Sequence, residues 1–239
     1  MNTNSNLYIF LYASGLVVVV AAILSFTAIK LQPYQEQNVR IEKMQNILSS
    51  VGIESTVETA ESNFTKYITK SFTIGHNGND KSGDAFNINL KKELSLDKEK
   101  MTLPVFECTQ DDGSKNIIIP VRGKGLWGPI WGYISLKEDY NTIFGAVFDH
   151  KQETPGLGAD INQAWFQDPF KGKKLFDDKG NFVSIKVYKG GKGAAKNAGD
   201  LVHGVDAISG GTITSVALQD MLSKDCLINF ETFLKKKKN

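Results

Sequence analysis

The 23 residues from position 7 to position 29 contain no charged side chain. As a helix this run would reach roughly 34 Å at about 1.5 Å per residue, against a bilayer hydrocarbon core of roughly 30 Å. A secretory signal would place Lys or Arg ahead of a shorter apolar run. Neither condition is met, so residues 1–30 are expected to form an uncleaved, single-pass membrane anchor. Tyr8 and Tyr12 stand near one end of the run, where amphipathic rings favour the interface. Gln32-Pro33 is expected to end the span. Lys30, Arg40 and Lys43 follow it, and only the α-amino group precedes it. That bias alone would hold the rest of the chain in the cytoplasm, but long domains cross despite it, so the side stays open.

The rest has the composition of a folded domain, the whole chain being 41% hydrophobic and 23% charged. A net charge of +2 is too small for a nucleic-acid surface, and the Lys run 235–238 reads as a solvated end. Val39, Met44, Ile47, Leu48 and Val51 fall at helical spacing, predicting a connecting helix over 35–51. Between 54 and 114 the periodicity is weak. There 64–68 and 71–74 read as short strands, 76–84 as a polar loop and 90–101 as a surface helix. Residues 31–110 are thus expected to supply the connecting helix and the N-terminal part of the soluble domain. After the Asp112-Gly113 turn come strands over 116–121, 131–136, 143–148 and 182–188. In the last, Ser184 and Lys186 are expected to point away from a buried face. A short helix over 159–168 should end at Pro169. Strands grouped together with helices around them predict an α+β fold, a central, mostly antiparallel sheet flanked by helices, over 111–239.

Three segments carry candidate chemistry. Residues 206–215, Asp-Ala-Ile-Ser-Gly-Gly-Thr-Ile-Thr-Ser, set two glycines and several hydroxyls at the mouth of an apolar-periodic segment. Glycines let a backbone approach a bulky anion, and a helix N-terminus offers unpaired N–H groups and a positive dipole end. The plainer alternative is a glycine turn with a Thr/Ser helix cap. Two glycine-rich turns lie between strands: 122–129, with Leu126 and Trp127, and 153–158, which reads Glu153-Thr154-Pro155-Gly156-Leu157-Gly158. Leu126, Trp127 and Leu157 could wall a planar ligand, with Thr154 and backbone N–H groups as polar partners. The alternative for Trp127 is a plug on the sheet.

Other templates fail. The glycines at 190–193 lack the spacing and the Ser/Thr of a P-loop, and neither G-x-S-x-G nor H-E-x-x-H occurs. His76, His150 and His203 are scattered, and His150 near Glu153 reads as a loop histidine. Cys108 and Cys226 show no C-x-x-C spacing; one bridge or two buried thiols both remain open. With no metal site and no hydrolytic constellation, the chemistry is expected to belong to a bound cofactor.

The anchor, the turns 125–129 and 153–158 and the segment 206–215 together resemble the NqrC family of the sodium-translocating NADH:quinone oxidoreductases, within the wider group of FMN-binding domains. The motif of that group, S/T-G-A-T-x-S/T, is matched by Ser209, Gly210, Gly211, Thr212, Ile213 and Thr214, with Gly211 in place of the usual Ala. The resemblance implies FMN bound covalently through a phosphoester to Thr214, with Thr212 as the fallback. It implies Leu126, Trp127, Glu153, Thr154, Gly156 and Leu157 as the flavin cradle. Lys186 or Lys189 is a candidate cation for the reduced ring. Also implied are a flavin transferase acting from FAD, partner subunits of a sodium-pumping complex, and a bacterial inner-membrane protein with its soluble domain in the periplasm. The alternatives are the RnfG family of the Rnf electron-transport complex, with the same cofactor, and an anchored non-redox ligand-binding or scaffold domain.

Overall fold

Residues 117–121 are buried without interruption, and the reason is that both faces of their strand are covered. In the computed structural model, which describes residues 5–238, Ile117, Ile119 and Val121 lie in one apolar cluster and Ile118 in another. A pleated strand sends successive side chains to opposite faces, so such a run marks a sheet packed on both sides. Residues 1–4 and Asn239, the outer ends of the expected anchor and flavin domain, lie outside the described residues.

The elements run in order α1 (Asn6–Ser50), α2 (Ala60–Tyr67), β1 (Ile68–Ile74), β2 (Asp80–Lys81), α3 (Leu90–Glu93), β3 (Leu103–Thr109), β4 (Lys115–Lys124), β5 (Pro129–Leu136) and β6 (Ile143–His150). Then follow α4 (Ala164–Gln167), β7 (Lys186–Tyr188), α5 (Ala194–Asn197), β8 (Gly204–Asp206), α6 (Thr212–Asp220) and α7 (Glu231–Lys238). Six strands form one antiparallel sheet in the order β2-β1-β3-β4-β5-β6, and β7 pairs with β8 in a parallel two-stranded ribbon. The α+β expectation holds. A β-bulge interrupts the β1–β3 register between Ile68 and Lys70. At the far edge, the Ile143 N–H donates to the Lys173 carbonyl and its own carbonyl accepts from Gly172, both at 2.8 Å.

The chain divides into two compact units, Met1–Lys43 and Met44–Asn239. The first is the outer part of α1, long and apolar enough to cross a membrane, with a mean hydropathy of 2.5 over its most apolar window and its side chains exposed. That fits a membrane anchor. Contrary to expectation, Pro33 does not end the helix, which continues to Ser50. A proline deletes one rung of the ladder, and the helix on either side can carry the chain past it. In the second unit Met44, Ile47, Leu48 and Val51 of this stretch are buried, whereas Val39, in the first unit, is exposed. The Ser135 hydroxyl donates to the Ser50 carbonyl and fastens the end of α1 to the sheet.

Several local expectations are corrected. Residues 64–67 are helical, and β1 begins only at Ile68. The expected helix over 90–101 is the four-residue α3, capped by the Asn89 side chain, followed by a 3-10 turn at Lys98–Lys100. The expected helix over 159–168 is broken into a 3-10 turn at Gly158–Asn162, α4, and a second 3-10 turn that contains Pro169. The strand over 182–188 shrinks to β7. Ser184 sits before it with φ of 55°, buried rather than outward-facing. A left-handed Ser breaks the extended run that its alternation suggested.

The thiols are free. Cys108 lies in the cluster on one face of the sheet and Cys226 in the cluster on the other. Burial pushes the Cys108 thiol up to about 11 and the Cys226 thiol to about 12, so both are inert packing groups.

Candidate functional site

The two glycine turns and the N-terminus of α6 meet at one carboxylate. Glu153 is only 4% exposed. Its Oε1 accepts the Trp127 backbone N–H at 2.9 Å, and its Oε2 accepts the Thr214 hydroxyl at 2.5 Å. The first bond fixes the 125–128 turn, which closes on itself through Gly125 N–H to the Gly128 carbonyl at 2.7 Å. The second fixes the start of α6. Glu153 is itself held by its N–H, which donates to His150 Nδ1 at 3.2 Å, so His150 helps to hold the turn. Among the described residues no group of three or more His, Cys, Asp or Glu could hold a metal ion.

The 153–158 turn is knotted locally. The Leu157 and Ala159 N–H groups both donate to the Thr154 carbonyl at 3.1 Å, and the Gly156 N–H donates to Asp160 Oδ1 at 3.0 Å. Gly158 lies so close to α6 that a Cβ there would run into Thr214 Oγ1 and stand 2.7 Å from Glu153 Oε2. The 209–211 turn presses on the same place. Gly210 has φ of +77°, and a Cβ on it would meet Leu157 Cδ2 at 2.7 Å. A Cβ on Gly211 would come within 2.9 Å of the Leu157 backbone. The glycine that replaces the usual Ala thus occupies a tight crossing.

The turn before α6 is built by Ser215. Its hydroxyl donates to the Gly211 carbonyl at 2.9 Å and accepts the Ile208 N–H at 3.0 Å. Gly211 is the N-cap, without a side-chain cap bond, and the Ser215 N–H makes the first helical bond to the Gly211 carbonyl at 3.0 Å. The N–H groups of Thr212, Ile213 and Thr214 are therefore left at the helix mouth, where an anion is favoured. The helix is thus not capped by a Thr or Ser at its N-cap position, the plainer alternative for this segment.

The expected site residues divide cleanly. Thr214, Glu153, Trp127, Leu157, Gly210 and Gly211 are joined by the contacts above. Leu126, Trp127, Leu157 and Ile213 remain exposed, Trp127 at 64%, so Trp127 is not a plug on the sheet. Four large apolar side chains are thus left in solvent on these three segments. Thr154, Gly156 and Ser209 lie exposed on the same turns, and Thr212 is partly buried. Lys186 is not joined by these contacts: it is exposed on β7, its N–H bonds the His203 carbonyl at 2.7 Å, and its charge acts on Asp200. Gly158 and Ser215 were not among the expected site residues. A glycine ending a glycine turn and a hydroxyl one residue past the motif were the only signals for them.

Residues 125–225 match the FMN-binding domain family. The chain is 31% identical over 221 residues to the Na(+)-translocating NADH-quinone reductase protein NqrC of Vibrio anguillarum, covering 86% of this chain and 84% of that protein. It is 32% identical over 233 residues to the corresponding NqrC of Neisseria meningitidis serogroup A, covering 86% of each. Among solved structures, NqrC from Parabacteroides distasonis superposes with a TM-score of 0.76 at 41% identity, over 85% of this chain and 96% of that one. The structure of Shewanella oneidensis NqrC gives 0.68 at 30% identity, over 83% and 97%. The chain therefore belongs to the NqrC family of the Na(+)-translocating NADH-quinone reductases, as a flavoprotein subunit of that oxidoreductase.

Proposed function

We propose that this chain carries FMN as a phosphoester on Thr214 and relays electrons between other subunits of a sodium-pumping NADH:quinone reductase. The observation that carries this reading is the position of Thr214, a hydroxyl at the uncapped start of α6 on which the turns 125–128 and 153–158 converge. The residues fit the group. The free N–H groups of 212–214 suit the phosphate, and the tight glycines 210 and 211 let backbone approach it. Leu126, Trp127, Leu157 and Ile213 supply apolar surface for the ring, with Thr154 at hand for the ribityl chain. Lys186 is retained as the candidate cation for a reduced ring. When bound, the flavin supplies electron transfer; the chain supplies attachment, orientation and exclusion of water on one side.

The domain division proposed is an anchor over 1–30, the connecting helix with the N-terminal part of the soluble domain over 31–110, and the flavin domain over 111–239. A covalent tether suits a flavin carrier outside the cytoplasm, where a lost cofactor is not replaced from a cytosolic pool. The soluble domain is accordingly placed in the periplasm of a bacterial inner membrane, and a separate flavin transferase makes the bond. Mass spectrometry of the peptide containing Thr214, from protein made together with its transferase, should show the mass of FMN less one water on Thr214. An unmodified peptide would sink the reading. For topology, a C-terminal reporter active only in the cytoplasm should be silent; activity would reverse the assignment.

A further inference from the structure

A threonine hydroxyl is a weak nucleophile until a base takes its proton. Among the described residues the side-chain acceptor that meets Thr214 Oγ1 is Glu153 Oε2, at 2.5 Å, the short end of the O–H···O⁻ range. The carboxylate cannot swing away freely, because Oε1 is held by the Trp127 N–H and a Cβ on Gly125 would already touch it at 2.5 Å. Thr214 is 2% exposed and Glu153 4%, so water does not compete for this contact. His150 is turned to the Glu153 backbone. A structural bond between a turn and a helix start would be served as well by an amide. A buried carboxylate aimed at the one hydroxyl to be esterified is a different arrangement.

We propose that Glu153 is the general base for attachment, a catalytic residue that the acceptor domain itself brings to the reaction. This inference rests on the phosphoester reading above. In the step, Thr214 Oγ1 attacks the phosphorus that bears the riboflavin moiety of a flavin dinucleotide presented by the transferase. The new bond is Oγ1–P, and the bond broken joins that phosphorus to the nucleoside monophosphate, which leaves. The Thr214 proton passes to the Glu153 carboxylate and from there to solvent; nothing is oxidised or reduced. Once esterified, Oγ1 has no proton to donate, so loading ends the Glu153–Thr214 bond while the Trp127 bond can persist.

The test uses the full apo chain with purified transferase, FAD and magnesium, following covalent flavin by in-gel fluorescence and peptide mass between pH 6.5 and 9. Glu153→Gln can keep both contacts, its carbonyl toward Trp127 N–H and its NH₂ toward Oγ1, while losing the base. It should load at least about 100-fold more slowly than wild type. Its rate should climb about tenfold per pH unit where the wild-type rate does not, a change that a merely structural role would not produce. Loading of Glu153→Gln within about threefold of wild type, with the same pH profile, would overturn the proposal. If Glu153→Gln proves unfolded by its melting curve, Glu153→Asp decides. Withdrawing the carboxylate by one methylene should slow loading at least about tenfold in a folded protein, and a wild-type rate would overturn the proposal. Failure of the wild-type chain to load at all would instead remove the phosphoester reading on which the base depends.

Discussion

A Thr214→Val chain, made together with its flavin transferase, should emerge with no covalent flavin at all. Valine keeps the shape of threonine and removes only the hydroxyl, so the loss would trace to a single oxygen. The same change leaves Glu153 Oε2 without its donor in a buried setting, which costs about 1–3 kcal/mol. A fall of a few degrees in the melting temperature of the soluble unit should accompany the loss. Thr214→Ser restores the hydroxyl and should restore fluorescence on a denaturing gel. Thr212→Val should load as wild type does. If Thr212→Val were dark and Thr214→Val bright, the attachment would sit two residues earlier.

The largest effect on folding is expected at Gly132, which lies opposite Phe148 in the β5–β6 ladder. A Cβ there would run into the Val147 carbonyl and come within 2.7 Å of Phe148 Cδ1 and 3.1 Å of Phe148 Cα. Two of these three contacts are backbone of a hydrogen-bonded neighbour strand, which cannot yield without parting the pair. Gly132→Ala should therefore cost about 3 kcal/mol or more, above the ordinary run of overpacking changes. For a unit of this size that is a fall of about 6–12 °C in melting temperature. An unchanged melting curve would mean that the ladder tolerates a wider spacing than its register allows.

The strands over 116–121, 131–136 and 143–148 were legible because each is an apolar run bounded by turn formers. β3 was not, because Pro104 and Glu107 leave only Val105 and Phe106 as an apolar run between them, whereas Pro120 of β4 is flanked by three isoleucines and Val121. The registers show how Pro104 is accommodated. β4 pairs with β3 only from Phe106 to Thr109, so Pro104 lies beyond the end of that ladder. Residues 64–67 misled because Phe, Thr and Tyr favour strands, yet the stretch forms the last turn of α2 and packs Phe64 on Phe86 and Phe106. Ser184 misled because nothing in an alternating pattern announces a positive φ. At the site, the residue types at 209–214 and 153–158 spoke for a phosphate and a planar ligand. The Glu153–Thr214 contact, 61 positions apart in the chain, was written in no local pattern.

The sheet edges have a consequence for assembly. β2 covers β1 only at Thr73 and Ile74, and the remainder of β1 carries a bulge and Lys70, both of which discourage a foreign strand. At the opposite edge, Ile143 is bonded to residues 172 and 173, and the Phe148 carbonyl accepts from Gln167 Nε2 at 2.9 Å. Both margins are thus partly guarded against β-augmentation. Neighbouring polypeptides are then expected to recognise this domain chiefly by side-chain complementarity, and a substitution that disturbs docking should map to its faces and loops, leaving the ladder untouched.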